Sequence, residues 1–253
     1  MIRKPMLLRP GLRLMIVCLV GLSAAPLAGR VWADHLPPGI QVIHLRTPAY
    51  LEKPVGSTHY TDEDIAQATE LAKLGDAEAE SNLGVMLASR GDYQKAAYWY
   101  RNAAITGIAT AAYNLGTLYF NGQGFKQDYT TARKWFELAA KRDNAYAEFQ
   151  LGLMYYTGQG AEKDPAKELF WYQKAASHGL PAAQYNLAVM YHNGDDAQHD
   201  ELLAYAWILL AQKGGLDTKE AQTVIAQSMT AAQIQSAEKL SLTLLSSPEL
   251  RTP

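Results

Sequence analysis

The clearest pattern along the chain is a set of aromatic and small apolar positions that recurs every 36 residues. A tryptophan marks the same place in each copy, and in the first three copies two alanines follow it four and five residues later. A repeat of this length is typical of one supersecondary unit stacked on copies of itself, an architecture that mostly presents surfaces rather than closed active sites. The marker residues are Trp99, Trp135, Trp171 and Trp207.

Polar residues on either side of each tryptophan predict one helix per copy. An aspartate stands seven residues before every tryptophan, and a glycine stands eight residues after three of the four. Aspartate caps the start of a helix and glycine ends one, so each tryptophan lies inside a helix of about three to four turns. We expect the aspartates to act as caps and the tryptophan row to pack in the core. The flanking residues are Asp92, Asp128, Asp164 and Asp200 before, and Gly107, Asp143, Gly179 and Gly215 after.

A second helix precedes each of these helices. It carries a leucine with an asparagine or glutamine directly before it. The residue directly after the leucine is glycine in three units and alanine in one. Glycine inside a helix costs roughly 1 kcal/mol relative to alanine, so its recurrence at one position predicts a close approach of two helices. Gly122-Gln123-Gly124 and Gly158-Gln159-Gly160 supply positive φ angles for a tight connection, which makes each unit an αα-hairpin. The triplets are Asn82-Leu83-Gly84, Asn114-Leu115-Gly116, Gln150-Leu151-Gly152 and Asn186-Leu187-Ala188.

The combined motif resembles the Sel1-like repeat family, a relative of the tetratricopeptide repeat. Residues 145–160 are close to the family pattern, and so is the helix that carries Trp171-Tyr172-Gln173-Lys174-Ala175-Ala176. The resemblance implies an all-α, right-handed solenoid of αα-hairpins that acts as an interaction scaffold, and it implies no chemistry. It covers about residues 76–215, which we divide into four repeats at 76–107, 108–143, 144–179 and 180–215.

The first and fourth units depart from the common pattern. Leu83 to Trp99 is shorter than the matching distance in the second unit, and Arg90-Gly91-Asp92 forms a short turn there. The fourth unit reads Asn193-Gly194-Asp195-Asp196 and lacks the second loop glycine. Terminal repeats are often atypical because they cap the stack, so we expect no change of fold.

Helices are also predicted on both sides of the repeats. Thr61 caps a helix within residues 61–75, which looks like a lone second helix that covers the end of the stack. After residue 215 the period stops, and residues 216–246 read as two capping helices, at 217–228 and from 231 to about 245. Residues 247–253 form a tail. We expect the apolar face of the first helix to consist of Ile65, Ala68, Leu71, Ala72 and Leu74.

The beginning of the chain has the pattern of a Sec-type secretory signal peptide, residues 1–33. A basic start precedes an apolar run from Leu14 to Ala28, and Val31-Trp32-Ala33 supplies small or β-branched residues for cleavage after Ala33. The run is about 15 residues, whereas a membrane-spanning helix needs about 20, so an uncleaved anchor is the alternative. The pattern predicts a periplasmic or secreted protein.

Removal of this segment changes the chemistry that remains. Cys18 is the only cysteine, so the mature protein has no thiol for disulfides, catalysis or metal binding. Five basic residues and no acid are lost, which leaves a formal charge near −7. An acidic protein of this kind is a poor binder of nucleic acid or anionic membranes.

Residues 34–60 form a proline-rich extended segment. Pro37, Pro38, Pro48 and Pro54 disfavour helix. The apolar run Ile40–Leu45 is a short strand or a docking segment; the alternative is a plain N-terminal tail.

The resemblance also implies where a partner would bind, because the first helices of tetratricopeptide-like units line a concave face. Equivalent positions in the first helices of this chain would give that face three rows of side chains. The first row is mainly aromatic, the second is the adjacent amide position, and the third lies about two turns further along each helix. Amides bind backbone groups and aromatic rings bury area at little entropic cost, which suits an extended peptide. The alternative is that these rows serve packing and hydrogen bonding between helices. The candidate contacts are Asn82, Tyr113, Asn114, Phe120, Phe149, Gln150, Tyr156, Tyr185, Asn186 and His192.

Two weaker chemical patterns remain. Ser236-Ala237-Glu238-Lys239 matches the Ser-x-x-Lys motif of β-lactamases, a label given to some cysteine-rich relatives, but the partner motifs are absent. His192 and His199 flank an acidic loop whose spacing does not favour zinc. We expect no catalytic residue, metal or cofactor.

The sequence therefore predicts an exported, non-enzymatic scaffold of the cell envelope that binds an unidentified protein or peptide on its concave face. The second hypothesis is a glycan- or peptidoglycan-associated binder whose aromatic row stacks on sugars. A β-lactamase-like hydrolase is the least favoured. Contact with a membrane is expected only through an uncleaved signal segment.

Overall fold

The structure is a computed structural model that describes residues 60–194 and 199–246. The described residues form eleven α-helices and one 3₁₀ turn, Leu244–Ser246. The proposed signal peptide, the extended segment up to residue 59, Asp195, Asp196 and the tail 247–253 lie outside the described residues. The helices are α1 Asp62–Lys73, α2 Ala77–Ser89, α3 Tyr93–Thr106, α4 Ala109–Asn121, α5 Tyr129–Ala140, α6 Ala145–Thr157, α7 Pro165–Ser177, α8 Pro181–Asn193, α9 Glu201–Lys213, α10 Lys219–Ala226 and α11 Ala231–Thr243.

Successive helices pack against one another along the chain, with the closest packing inside four hairpins. The hairpins are α2–α3, α4–α5, α6–α7 and α8–α9. The α1 helix packs on α2, while α10 and α11 both pack on α9. These contacts confirm the predicted helical solenoid with helices at both ends.

The starts of the second helices follow the capping prediction in three units. Side chains of Asp128, Asp164 and Asp200 accept hydrogen bonds from the backbone N–H three residues on, at 2.9 to 3.1 Å. The pKa of the Asp128 carboxyl is lowered first by the Thr131 side chain and that of Asp164 by the Lys167 side chain, and these backbone bonds are the next cause in both. Asp92 makes no such bond and pairs with Lys95 at 3.2 Å. Capping therefore holds for three of the four aspartates.

The first helix of each unit lies unusually close to the second. A Cβ placed on Gly84, Gly116 or Gly152 would lie 2.5 to 2.7 Å from ring carbons of Tyr100, Phe136 or Tyr172 respectively. Real Cβ atoms do not approach that closely, so only glycine fits beneath these rings. The prediction that the recurring glycine marks close helix packing is confirmed.

The tryptophan row is not the core row, except in the last unit. Trp207 is buried, but Trp99, Trp135 and Trp171 are only partly buried and pack against the core from its edge. The prediction is therefore only partly confirmed for these three, because the hairpin interface fully buries the next position along the helix. The residues in that buried row are Tyr100, Phe136, Tyr172 and Ile208.

Hydrogen bonds join neighbouring units. The Tyr100 hydroxyl of the first unit bonds to the buried amide of Asn114 in the second. The Tyr191 hydroxyl of the fourth unit accepts a hydrogen bond from Gln173 of the third at 3.2 Å. These two bonds thus give polar side chains partners across the unit boundary.

Capping boxes open the first and the last described α-helices. Thr61 forms one at the start of α1, as the sequence indicates, and Thr230 forms one at the start of α11. The expected apolar face of α1 is only partly correct. Ala68 and Ala72 are buried, but Leu71 and Leu74 are 52% and 84% exposed, because no helix covers that side of α1 in the described chain.

Candidate functional site

The predicted aromatic row lies largely inside the protein. Tyr113 and Phe149 are buried, and Tyr185 is half-buried. The Tyr113 ring centroid lies 5.7 Å from that of Phe136 and 6.1 Å from that of Tyr146. Tyr113 and Phe149 therefore serve the packing of hairpins, which leaves them no open ring face for stacking on a sugar.

The amide row is also mostly internal. Asn114, Gln150 and Asn186 are buried, whereas Asn82 of the first unit is exposed. Asn114 bonds to Tyr100 of the preceding unit, so at this position the row satisfies a polar group between units. Tyr113, Asn114, Phe149, Gln150 and Asn186 thus lie inside the stack, as the alternative of packing and hydrogen bonding between helices expects.

The third row, at the last turn of each first helix, stays accessible. Phe120, Tyr156 and His192 are each half-buried, and the first unit has Ala88 in this register. Because this row follows the aromatic row by seven residues, or about two helical turns, Tyr185 lies on the same side of the first helices. The candidate contacts that keep surface are therefore Asn82, Phe120, Tyr156, Tyr185 and His192.

The environment of this row changes from unit to unit. In the second unit Phe120 contacts Tyr129 edge to face, with ring centroids 5.0 Å apart. In the fourth unit the same two positions hold His192 and Glu201, whose Nδ1 and Oε2 lie 2.9 Å apart. An imidazole–carboxylate pair thus replaces an aromatic pair at one place in the fold.

More polar groups converge on Glu201. His199 Nε2 lies 3.6 Å from its Oε1, and the Ser228 hydroxyl donates a hydrogen bond of 2.7 Å to the same oxygen. His199 Nδ1 is 2.7 Å from the backbone oxygen of His192, which orients the ring. Glu201 therefore links the last repeat to the turn between α10 and α11.

A buried carboxylate in the third unit was not singled out by the sequence. The Glu148 side chain is 0% exposed, and its two oxygens lie 2.8 Å from His178 Nδ1 and 3.3 Å from Lys174 Nζ. The sequence signal that could have identified it is an acidic residue within a helix whose other residues are mainly apolar. The same register holds Glu80 and Gln184, both buried, and burial raises the pKa of the Glu80 carboxyl.

The same neighbourhood contains a group whose donor atoms are close enough to hold a metal ion. Among the described residues, Asp143, Glu148 and His178 have ligand atoms within 4.8 Å of one another. Lys174 already lies against Glu148 and supplies positive charge there. The Lys174 ammonium thus occupies one side of the Glu148 carboxylate, and the His178 ring occupies the other.

The residues of the Ser-x-x-Lys match lie on the surface of α11. The Ser236 hydroxyl donates to the backbone oxygen of Ala232 at 2.9 Å, and both Ser236 and Lys239 are exposed. Neither residue lines the cavity beside Tyr205 or the one beside Trp135.

Two tyrosines on the first helices have altered ionisation. Burial raises the pKa of the Tyr146 hydroxyl. The pKa of Tyr185 is raised by burial first and then by the charge of nearby Glu220. Both hydroxyls therefore remain protonated and able to donate at neutral pH.

Comparisons with known proteins agree with this architecture. The chain matches the family described as Sel1 repeat over residues 77–105, 109–144, 145–180 and 181–215, which together exceed half of its length. The chain belongs to the Sel1 repeat family. Sel1 repeats are in general scaffolds for protein–protein interaction, and the helical solenoid described above is such a scaffold.

Two solved structures are similar. A Sel1 repeat protein from Oxalobacter formigenes aligns with a TM-score of 0.60 and 25% sequence identity, over 71% of this chain and 77% of that one. The protective antigen c5321 of uropathogenic Escherichia coli strains, which displays an SLR fold, aligns with a TM-score of 0.49 and 26% identity. That alignment covers 76% of this chain and 51% of the antigen. No curated protein matches the chain.

None of the helices between residues 60 and 246 that the structure describes has the length and apolar character needed to cross a membrane.

Proposed function

We propose that the protein is an exported scaffold of the cell envelope that binds a segment of a protein partner along the accessible side of its first helices. The family supports the scaffold role. The contact surface in this proposal consists of Asn82, Phe120, Tyr156, Tyr185 and His192, and the segment upstream of residue 34 supplies the export signal.

The observation that carries the proposal is the accessibility of Tyr156 and Tyr185 on the same side of α6 and α8. Two other aromatic residues on this side, Tyr113 and Phe149, are buried in the hairpin packing. Tyr156 and Tyr185 differ from them in that part of each ring is accessible. Tyrosine presents a rigid apolar ring and a polar tip, which gives contact area at low entropic cost. Half-buried tyrosines on adjacent units suit a ligand that lies across both units.

Site-specific photo-crosslinking in the producing cells tests this surface. A photoreactive phenylalanine analogue replaces Tyr156 or Tyr185, and a matched control replaces Tyr98, which is 60% exposed on the second helix α3. We expect one and the same partner to be captured from positions 156 and 185 and not from position 98. Capture from position 98 alone would place the partner on the other side of the solenoid and reject the proposal.

Affinity measurements with the captured partner test the energetic claim. Tyr156→Ala and Tyr185→Ala should each weaken binding by about tenfold or more, since hot-spot rings contribute about 1.4 kcal/mol or above. Tyr98→Ala should leave the dissociation constant unchanged. Equal affinity of all four proteins, including the wild type, would contradict a contact role for the first-helix tyrosines.

A further inference from the structure

The α1 helix has the register of a second helix, and the described residues contain no first helix that pairs with it. Gly75 ends it with a φ of +83°, as Gly107 and Gly179 end the second helices of the first and third repeats. With the glycines aligned, Leu71 takes the place of Ala103 in the first repeat. The helix therefore presents to solvent a side that each repeat covers.

Each repeat buries the position that corresponds to Leu71. That position lies one turn after the ring that contacts the hairpin glycine, so it faces the unit's own first helix. All four alanines there are fully buried, whereas Leu71 is 52% exposed and Leu74 is 84% exposed. The residues of the buried row are Ala103, Ala139, Ala175 and Ala211.

Charge restricts what can cover this side of α1. Glu63, Asp64 and Glu70 are exposed on the same helix as the two leucines, and acids remain in excess although Lys73 pairs with Glu70 at 2.8 Å. Residues 60–92 contain eight acids and two bases. Two copies that met through α1 would bring these acids together, and like charges in contact oppose association. A neutral or basic apolar segment is compatible with the surface.

The chain carries such a segment immediately upstream. Ile40–Leu45 is mainly apolar and is followed by Arg46. An extended segment of six residues spans about 20 Å, close to the roughly 18 Å length of α1. The 14 residues from 46 to 59 reach up to about 45 Å, so the segment can lie along α1. Tethering gives it an effective concentration in the millimolar range.

We propose that Ile40–Leu45 docks on the open side of α1, contacts Leu71 and Leu74, and takes the place that a first helix occupies in each repeat. Arg46 then faces the acids of α1. Pro48 and Pro54 keep the connection extended, so the segment covers the end of the stack without adding another hairpin. Solenoids need such end caps to prevent further stacking.

Disulfide trapping in the full chain tests the contact. Cys18→Ser removes the one cysteine, and Ile43→Cys is then combined with Leu71→Cys. The matched control combines Ile43→Cys with Leu242→Cys on α11, a leucine that is 79% exposed at the other end of the stack. We expect an intramolecular disulfide in the first protein and at least tenfold less in the control. Equal yields would overturn the proposal, and a disulfide between two molecules would replace it with a second copy as the occupant.

Hydrogen exchange provides a second measurement that needs no cysteine. Leu71→Asp combined with Leu74→Asp should make the amides of residues 40–45 exchange at least tenfold faster, whereas Leu242→Asp should not. Helix α1 should stay folded, since both leucines are exposed and its contacts with α2 use Ala68 and Ala72. Amides of residues 40–45 that exchange at the rate of an unstructured peptide in the wild type would overturn the proposal.

Discussion

Gly116 lies directly against the ring of Phe136: a Cβ on residue 116 would be 2.7 Å from two carbons of that ring and 3.2 Å from the backbone oxygen of Ala132. The closeness of the α4–α5 hairpin is therefore set by the absence of a side chain at one position. The first and third hairpins repeat the relationship with Gly84 and Gly152. In the fourth unit alanine stands in this register, and the ring is replaced by Ile208.

Gly116→Ala should destabilise the protein by about 1 to 3 kcal/mol, because overpacking forces the ring or the helix to move. Urea unfolding followed by circular dichroism measures the change. The control is Gly116→Ala with Phe136→Ile, which copies the fourth unit. The double variant should lose less free energy of unfolding than the sum of the losses caused by Gly116→Ala and Phe136→Ile alone. An additive result would show that the ring is not what excludes the alanine.

The buried Tyr100 hydroxyl should make stability fall at high pH. Burial raises the pKa of Tyr100 above the ordinary value near 10. Above about pH 10 the unfolded chain loses a proton that the folded protein keeps, so the free energy of unfolding decreases as pH rises. One such group contributes a slope of up to about 1.4 kcal/mol per pH unit.

Urea midpoints of the wild type and Tyr100→Phe at pH 9 and pH 11 measure this effect. Between pH 9 and pH 11 the variant should lose less stability than the wild type. At pH 9 the variant should be less stable than the wild type, because Asn114 has lost its hydroxyl partner. Tyr98→Phe, at an exposed ring, should behave as the wild type. If stability fell equally with pH in all three proteins, the Tyr100 hydroxyl would not be the cause of the pH dependence.

Asp143 is the one described non-glycine residue with a positive φ, at 57°. The equivalent positions in the other repeats are Gly107, Gly179 and Gly215. Asp143→Gly should therefore stabilise the protein by about 0.5 to 1 kcal/mol, because glycine ends a helix in this conformation without steric strain. Thermal unfolding measures the effect, and Asp143→Gly should have a higher melting temperature than the wild type. The reverse change, Gly179→Asp, should lower the melting temperature.

The buried carboxylate of Glu148 should depend on Lys174. Lys174→Met should cost about 1 to 3 kcal/mol, because it leaves a buried charge with fewer partners. Adding Glu148→Gln should restore most of that loss, as glutamine occupies this register at residue 184. The exposed pair of Lys95 and Asp92 provides the control, and Lys95→Met should change stability by less than about 1 kcal/mol. Equal losses from the two lysines would argue against the buried network.

Export predicts a shorter mature protein. Intact mass measurement and N-terminal sequencing of the protein from the cell envelope should show a chain that begins at Asp34. Ala33→Arg should block cleavage, because signal peptidase requires a small residue there. A full-length chain in the cytoplasmic fraction would contradict both the signal and the proposed location.

The sequence was sufficient for the repeat and its hairpins because these depend on local features. Capping aspartates, terminal glycines and the glycine within each first helix act through the backbone of their own helix or hairpin. Such signals repeat in every unit, so the register can be read without a structure. They placed α3, α5, α7 and α9 between the expected residues.

The sequence did not decide which side chains each unit leaves exposed. Adjacent aromatic residues such as Trp135 and Phe136 are equally apolar, and only the contact with Gly116 makes the second one the core residue. Burial of Tyr113 depends on Tyr146 of the next unit, and burial of Glu148 depends on Lys174 and His178.

By itself, then, the sequence determined the family, the helices and their pairing, through short-range capping and steric rules. Tertiary structure alone decided that Asn114 bonds within the stack while Tyr156 and Tyr185 keep surface, and that Leu71 is exposed among the described residues. Exposure is set by neighbouring units, and a residue that looks identical in each copy meets a different neighbour at each place in the stack.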